Sequence, residues 1–390
     1  MAWFISSMLY SQPPNAYVDN QPFIHKTNNY TTPIETDTFI SFNELTIESR
    51  LTELNFQTPI HLEFNNDVKK YIEYFLTKRS DVITRSLAMS SYYFPIFETC
   101  LDKYQLPMEL KYLAVVESGL NPFARSKSGA VGLWQFLLPT AQLLNLKVTS
   151  LIDERRDPIK STEAACQYLE YLFNMYNDWQ LAIAAYNGGP SVIKNAIIRS
   201  GGKSTFWEIK PYLPIETQNY VPAFIAAVYL MNFSKDYFQL TSEENTIYFH
   251  QADTVLINQP LYFNDISSIL NIPLETLRFL NPAYKQDYIP KQNSSVPLIL
   301  PSDKIADFIK QSKSILKHEL PNQQLLTSQN NKRAITYTVK KGDYLTKLAI
   351  AFRCSPDDIK KWNNLPSNEI VTGSHLLIWC PEDNLFTIVE

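Results

Sequence analysis

Apolar residues change their period at about Ser234, and this change constrains the fold more than any other feature of the chain. From Asp67, where Val68, Tyr71, Ile72, Phe75 and Leu76 recur at helical spacing, a helical pattern continues with interruptions to about Phe233. Beyond Ser234 the pattern becomes short strand-like runs with helical segments between them. The expected class is α+β and multidomain: a mainly α domain followed by small βααβ modules. A length of 390 residues fits two or three domains.

The strand-like half contains a repeat. At a constant offset of 82 residues, Phe263 pairs with Leu345, Ile266 with Leu348, Leu270 with Phe352, Leu277 with Ile359, Leu280 with Trp362 and Asn281 with Asn363. Both copies end in an apolar strand before a proline, Val296 to Leu300 and Leu376 to Cys380. Between them, Ser302 to Leu316 reads as a helix and Pro321 to Arg333 as a polar linker. The expected division is a lead at 1–59, a helical domain at 60–235, a first repeat unit at 246–301, a helix and linker at 302–333 and a second unit at 334–382. Within the lead, Ala2 to Tyr10 is similar to the apolar core of a secretory signal but has no preceding Lys or Arg, and reads as a signal remnant. Ser11 to Pro59, rich in Asn, Thr, Pro and Gln, reads as extended or disordered.

Composition narrows the function classes. A net charge of −4 provides no broad basic field, so nucleic acid is not an expected partner. The longest apolar stretch, Ala223 to Met231, is too short for a transmembrane segment. His25, His61, His250, His318 and His375 have no metal-ligand spacing, and no metal site is expected. Cys100, Cys166, Cys354 and Cys380 allow three full pairings, and buried free thiols are equally compatible with the sequence.

Seven of the nine glycines lie between Gly119 and Gly202, which marks that region's loops as working loops. Pro107 suits a first helical turn, and Leu110, Leu113 and Leu120 follow as an apolar stripe that includes Glu117. A carboxyl in an apolar wall, without a cationic partner, keeps its proton to higher pH, as a general acid near neutrality requires. The helix is expected to stop at Gly119 and Asn121-Pro122, leaving Glu117 at a helix end that opens on a cleft. A glutamate paired with an Arg or Lys is the competing reading.

Neighbouring segments add weight to the acid. Ser118-Gly119 follows directly, then Gly129 to Phe136 (GAVGLWQF), Ala184 to Gly189 (AAYNGG) and Pro214 to Pro222 (PIETQNYVP). In this order the set resembles the lysozyme-like lytic transglycosylases of bacterial cell walls. Arg155-Arg156-Asp157 and Glu216-Thr217 to Tyr220-Val221-Pro222 resemble their D-type branch in particular. The resemblance implies that Glu117 is the single catalytic acid and base, that Ser118 helps to position the sugar and that Gln135 hydrogen-bonds substrate. It also implies that Tyr186 and Asn187 line the site opposite the acid and that Tyr220 orients the glutamate. Trp134 stands where the family commonly has methionine; both it and Tyr186 also read as core aromatics.

The implied reaction needs one carboxylate, where ordinary glycosidases need two. The glutamate protonates the bond between N-acetylmuramic acid and N-acetylglucosamine, then as a base closes a 1,6-anhydro ring without consuming water. No cofactor is implied. The second repeat unit, with Tyr337 to Asp343 as a strand entering a glycine turn, resembles a LysM domain, a module that binds N-acetylglucosamine-containing glycans. Tyr344 stands where threonine or serine is usual. The first unit lacks the Gly-Asp turn and is a degenerate LysM-like unit, with packing or sugar binding both open as its role. Together these imply peptidoglycan glycan strands as partner and the periplasm or cell envelope as location. A hydrolytic muramidase of goose-lysozyme type and a non-catalytic peptidoglycan-binding protein are the alternative readings.

Overall fold

The structure is a computed structural model that describes residues 43–238, 249–292, 294–315, 332–340, 343–352, 354–363 and 365–381. The signal-like stretch, most of the lead and the linker at 316–331 lie outside the described residues, as does Gly342. Contacts divide the chain into two units, 1–315 and 316–390.

In the first unit the helices are α1 (Glu44–Asn55), α2 (Asn66–Thr77), α3 (Ser80–Lys103), α4 (Tyr112–Ser118), α5 (Leu138–Leu143), α6 (Pro158–Tyr176), α7 (Trp179–Gly188), α8 (Pro190–Arg199), α9 (Phe206–Ile209) and α10 (Ile215–Asn232). Helix α1 corrects the expectation of a disordered lead. Asn43 caps its first turn and Ile47 and Leu51, one turn apart, are buried in the domain core. The Asn- and Thr-rich composition around it hid this short stripe.

The core is organised on α10, which is buried from Val221 to Met231 and packs against α2, α4 and α7. Sharp signals start and stop the neighbouring helices. Asp157 accepts from the amides of Ile159 and Lys160 at the start of α6, with Pro158 in the first turn, and Asn177 closes it in the left-handed conformation. Among the described residues no helix is long and apolar enough to cross a membrane.

The same unit continues with β1 (Ala252–Ile257), β2 (Leu261–Tyr262), α11 (Phe263–Leu270), α12 (Leu274–Leu280), β3 (Tyr288–Ile289), β4 (Val296–Pro301) and α13 (Ile305–Ile315). Strands β1 and β4 pair antiparallel from Ala252 opposite Pro301 to Ile257 opposite Val296. Helix α13 does not stand apart as a linker helix: it packs on α11 and buries Phe308 and Ile315.

The second unit consists of β5 (Lys332–Thr338), α14 (Leu345–Ala351), α15 (Pro356–Asn363) and β6 (His375–Pro381), with β5 and β6 antiparallel. Its core contains Leu345, Leu348, Phe352 and Ile359, the positions that match Phe263, Ile266, Leu270 and Leu277 of the first copy. The repeated asparagine does one task in both copies. Asn281 Nδ2 donates to the carbonyls of Leu277 (3.0 Å) and Ile299 (2.8 Å), while its Oδ1 accepts from the Ile299 amide at 2.8 Å. Asn363 makes the same three bonds, to the Ile359 and Leu377 carbonyls at 2.8 Å each and from the Leu377 amide at 2.7 Å. Only a carboxamide has both a donor and an acceptor to tie a helix end to the closing strand in this way.

Candidate active site

A 3-10 turn, Met108–Lys111, leads into α4, and Gly119, at φ +58°, ends it. Every residue of α4 is buried, so the expected one-sided stripe is corrected: the helix is enclosed on all sides, and helical period alone does not single out Glu117. Chemistry does. Glu117 is the only charged residue in the seven-residue helix, is 2% exposed, and has no Lys or Arg ion-paired to it among the described residues.

The Tyr220 hydroxyl, from α10, donates to Glu117 Oε1 at 2.6 Å. Burial pushes the Glu117 carboxyl up to about 7, against the opposing effect of the Tyr220 hydrogen bond, which favours the charged form. Tyr220 and Tyr186 are both held well above the ordinary phenol value, first by burial and then by the neighbouring Glu117. Among the described acids, Asp153 is the only other buried one, and it is bound through both oxygens to Arg155 (2.9 and 2.8 Å). Burial works against the charge on Asp153, but the hydrogen bonds and charge of Arg155 more than offset it and hold the carboxyl below its ordinary value. Among the described residues, Glu117 is thus the fully buried acid without a basic side-chain partner.

The loop between α4 and α5 folds over this acid. Ser118 Oγ lies 3.0 Å from the carbonyls of both Ala114 and Leu133, tying the end of α4 to the loop. Gln135 sits at φ +50°, a conformation unusual for a residue with a side chain. Its Nε2 donates to the carbonyls of Ala124 (3.2 Å) and Gly132 (2.9 Å), which orients the amide and leaves the buried Oε1 without a partner. Gly132, at φ +92°, has no substitute, because a Cβ there would lie 1.8 Å from the Arg155 carbonyl oxygen.

Helix α7 supplies the remaining pair. The Tyr186 hydroxyl donates to the Trp134 carbonyl at 2.9 Å, and Asn187 Oδ1 accepts from Thr217 Oγ1 at 3.0 Å. A Cβ on Gly188 would meet Thr217 Oγ1 at 2.7 Å, so this glycine permits the close approach of α7 and α10. Trp134 is fully buried, stacks obliquely on Phe97 with centroids 5.2 Å apart, and donates its indole N–H to Thr162 at 2.9 Å. It is a core aromatic.

The structure thus joins Glu117 to Tyr220 directly, ties Ser118, Gln135 and Tyr186 to carbonyls of the 124–134 loop or of α4, and holds Asn187 on Thr217 of α10. Sequence reasoning did not single out Arg155 or Thr217, although both lie within segments that carried the family resemblance. Cavities of about 560 and 420 Å³ lie on the first repeat unit and on its seam with the helical domain, and Glu117 lines neither. Cys100 and Cys166 are buried free thiols.

Comparison with known proteins finds similar sequences and structures. Residues 95–208 match the model of the transglycosylase SLT domain, residues 251–317 that of the lytic transglycosylase MltD LysM-like domain, and residues 337–379 that of the LysM domain. Membrane-bound lytic murein transglycosylase D of Escherichia coli strain K12 is 30% identical over 285 residues, which is 71% of this chain and 61% of that protein. Membrane-bound lytic murein transglycosylase F of Shewanella sediminis is 33% identical over 136 residues, 31% of this chain and 27% of its own length. The 70 kDa soluble lytic transglycosylase SLT70 of E. coli aligns at 25% identity over 40% of this chain and 26% of its own, with a TM-score of 0.32. Three successive stretches of the chain thus match models of a transglycosylase SLT domain, an MltD-type LysM-like domain and a LysM domain, and the chain spans 61% of the length of the first of these relatives.

Proposed function

We propose that the chain is a peptidoglycan lytic transglycosylase, with Glu117 acting first as acid and then as base. The observation that carries this reading is the lone carboxyl itself: buried, with no Lys or Arg ion-paired to it among the described residues, oriented by Tyr220 and raised to about 7. At neutral pH a large share of it holds the proton that the first step needs. Glu117 gives that proton to the glycosidic oxygen on the N-acetylglucosamine side as the bond to C1 of N-acetylmuramic acid breaks. The N-acetyl group of the muramic sugar stabilises the cation that develops. The resulting carboxylate then takes the proton of the C6 hydroxyl as O6 bonds to C1, so the 1,6-anhydro ring closes and Glu117 regains its starting form. A low-polarity wall favours this return, since it disfavours the charged intermediate state of the glutamate.

Gln135 presents its unpartnered Oε1 as an acceptor for a sugar N–H or O–H. Ser118 and Tyr186 act on substrate mainly by fixing the loop backbone, since both hydroxyls are engaged with carbonyls. Asn187 offers its amide N–H groups while Thr217 holds its oxygen. In this reading the C-terminal LysM domain retains the enzyme on the wall and raises its effective concentration there, with the cell envelope as its location; the LysM match over residues 337–379 supports it. The test is Glu117→Gln. Release of soluble fragments from labelled peptidoglycan stops, while sedimentation with insoluble wall equals that of the wild type; an unaffected rate of release removes Glu117 from the chemistry.

A further inference from the structure

The first LysM-like unit shares the core of the helical domain. Phe279 and Leu280 of α12 belong to the same apolar cluster as α3 and α10. The Phe279 ring lies 4.8 Å from Tyr92 and 5.8 Å from Tyr93, Tyr93 stacks on Phe97 at 6.1 Å, and Phe97 meets Trp134. A second seam is made of backbone. The Asp153 amide donates to the Ala283 carbonyl and the Lys285 amide to the Leu151 carbonyl, both at 2.9 Å, on either side of an antiparallel bridge between Ile152 and Tyr284. Lys285 Nζ also donates to the Thr149 carbonyl at 2.7 Å.

Both routes end at the loop that bears Gln135. Asp153 engages Arg155 Nε and Nη2, which leaves Nη1 to donate to the carbonyls of Gly129 (3.1 Å) and Phe136 (3.2 Å), one at each end of that loop. The Arg155 carbonyl lies under Gly132. The aromatic route arrives at Trp134, whose carbonyl accepts from Tyr186. A module retained only to capture glycan needs no share in the catalytic core. We propose that the first LysM-like unit and Arg155 form a brace that holds the Gln135 loop in register for catalysis, with Arg155 a positioning residue; this rests on the transglycosylase reading above. The strained backbone at Gln135 persists because the loop is fixed from both ends and from beneath.

The test uses the full chain and a soluble glycan fragment, so that wall adsorption does not contribute. Arg155→Lys keeps the charge but loses the planar fork, and it is expected to lower kcat about tenfold or more with KM changed less than about threefold. Phe279→Ala, made beside Phe279→Leu to keep an apolar side chain in the seam, is expected to lower kcat in the same direction. The Arg155→Lys, Phe279→Leu double variant is expected to lose less than the product of the two single effects. Deuterium exchange of residues 129–136 rises in all three single variants while that of residues 215–232 does not. Unchanged exchange at 129–136 in folded variants overturns the brace, and faster exchange with undiminished kcat overturns its role in catalysis. If the wild type turns over no glycan, the transglycosylase reading fails, and exchange alone then decides whether the brace exists.

Discussion

Replacing Glu117 by glutamine has a consequence for stability that is independent of substrate. The carboxyl rises from its ordinary 4.5 to about 7 on folding, so the folded state favours the neutral form. Its stabilising contribution is whole below about pH 4.5 and is lost as pH rises through about 7, where the wild type must carry a buried charge. At ~1.4 kcal/mol per pH unit, this loss amounts to about 3 kcal/mol. Glutamine never charges, and its side-chain oxygen still accepts from Tyr220. The variant is therefore expected to match the wild type at pH 4 and to exceed it by about 3 kcal/mol at pH 8 and above. For a domain of this size that is about 5–10 °C in the midpoint of unfolding. Thermal and urea unfolding of both proteins from pH 4 to 9, followed by near-ultraviolet circular dichroism of the aromatic-rich core, measures the difference. A gap that does not change with pH, or a wild type that is the more stable at pH 8, refutes the reasoning.

Two further outcomes follow from the same geometry. The rate of glycan cleavage is expected to fall as pH rises through about 7, because the protonated carboxyl starts the reaction; Tyr220→Phe removes the bond that favours the charged form, so in a pH–rate profile the fall moves to higher pH and the maximum drops about tenfold. Asn281→Ala strands a buried strand amide and is expected to cost about 2 kcal/mol, whereas Asn363→Ala, at a more exposed helix end, costs about 1 kcal/mol; exchange of the Ile299 and Leu377 amides reports each unit separately.

How far the site was legible depended on the range of the interactions involved. Asn281 and Asn363 were visible because a repeat aligns residues that serve the same bonds in each copy. Glu117 was visible because a charged residue in an apolar run is anomalous whatever surrounds it, although the stripe invoked to bury it was only one side of an enclosed helix. Helix α1 was lost because two buried residues, Ile47 and Leu51, carry little signal against a polar composition. Trp134 read as either core or subsite, since the difference lies in Phe97 and Thr162, which are remote in sequence. The Arg155 brace had no local trace: its carbonyl partners lie 26 and 19 residues away, and the unit that supports it reads in sequence as a separate module.

The most direct measurement is the mass of the products released from purified peptidoglycan. The account predicts muropeptides ending in 1,6-anhydro-N-acetylmuramic acid, lighter by one water than their hydrolysed counterparts and absent with Glu117→Gln. Products that carry a reducing end and incorporate oxygen from labelled water would show a hydrolase with a second reactive group, and would contradict the single-acid mechanism.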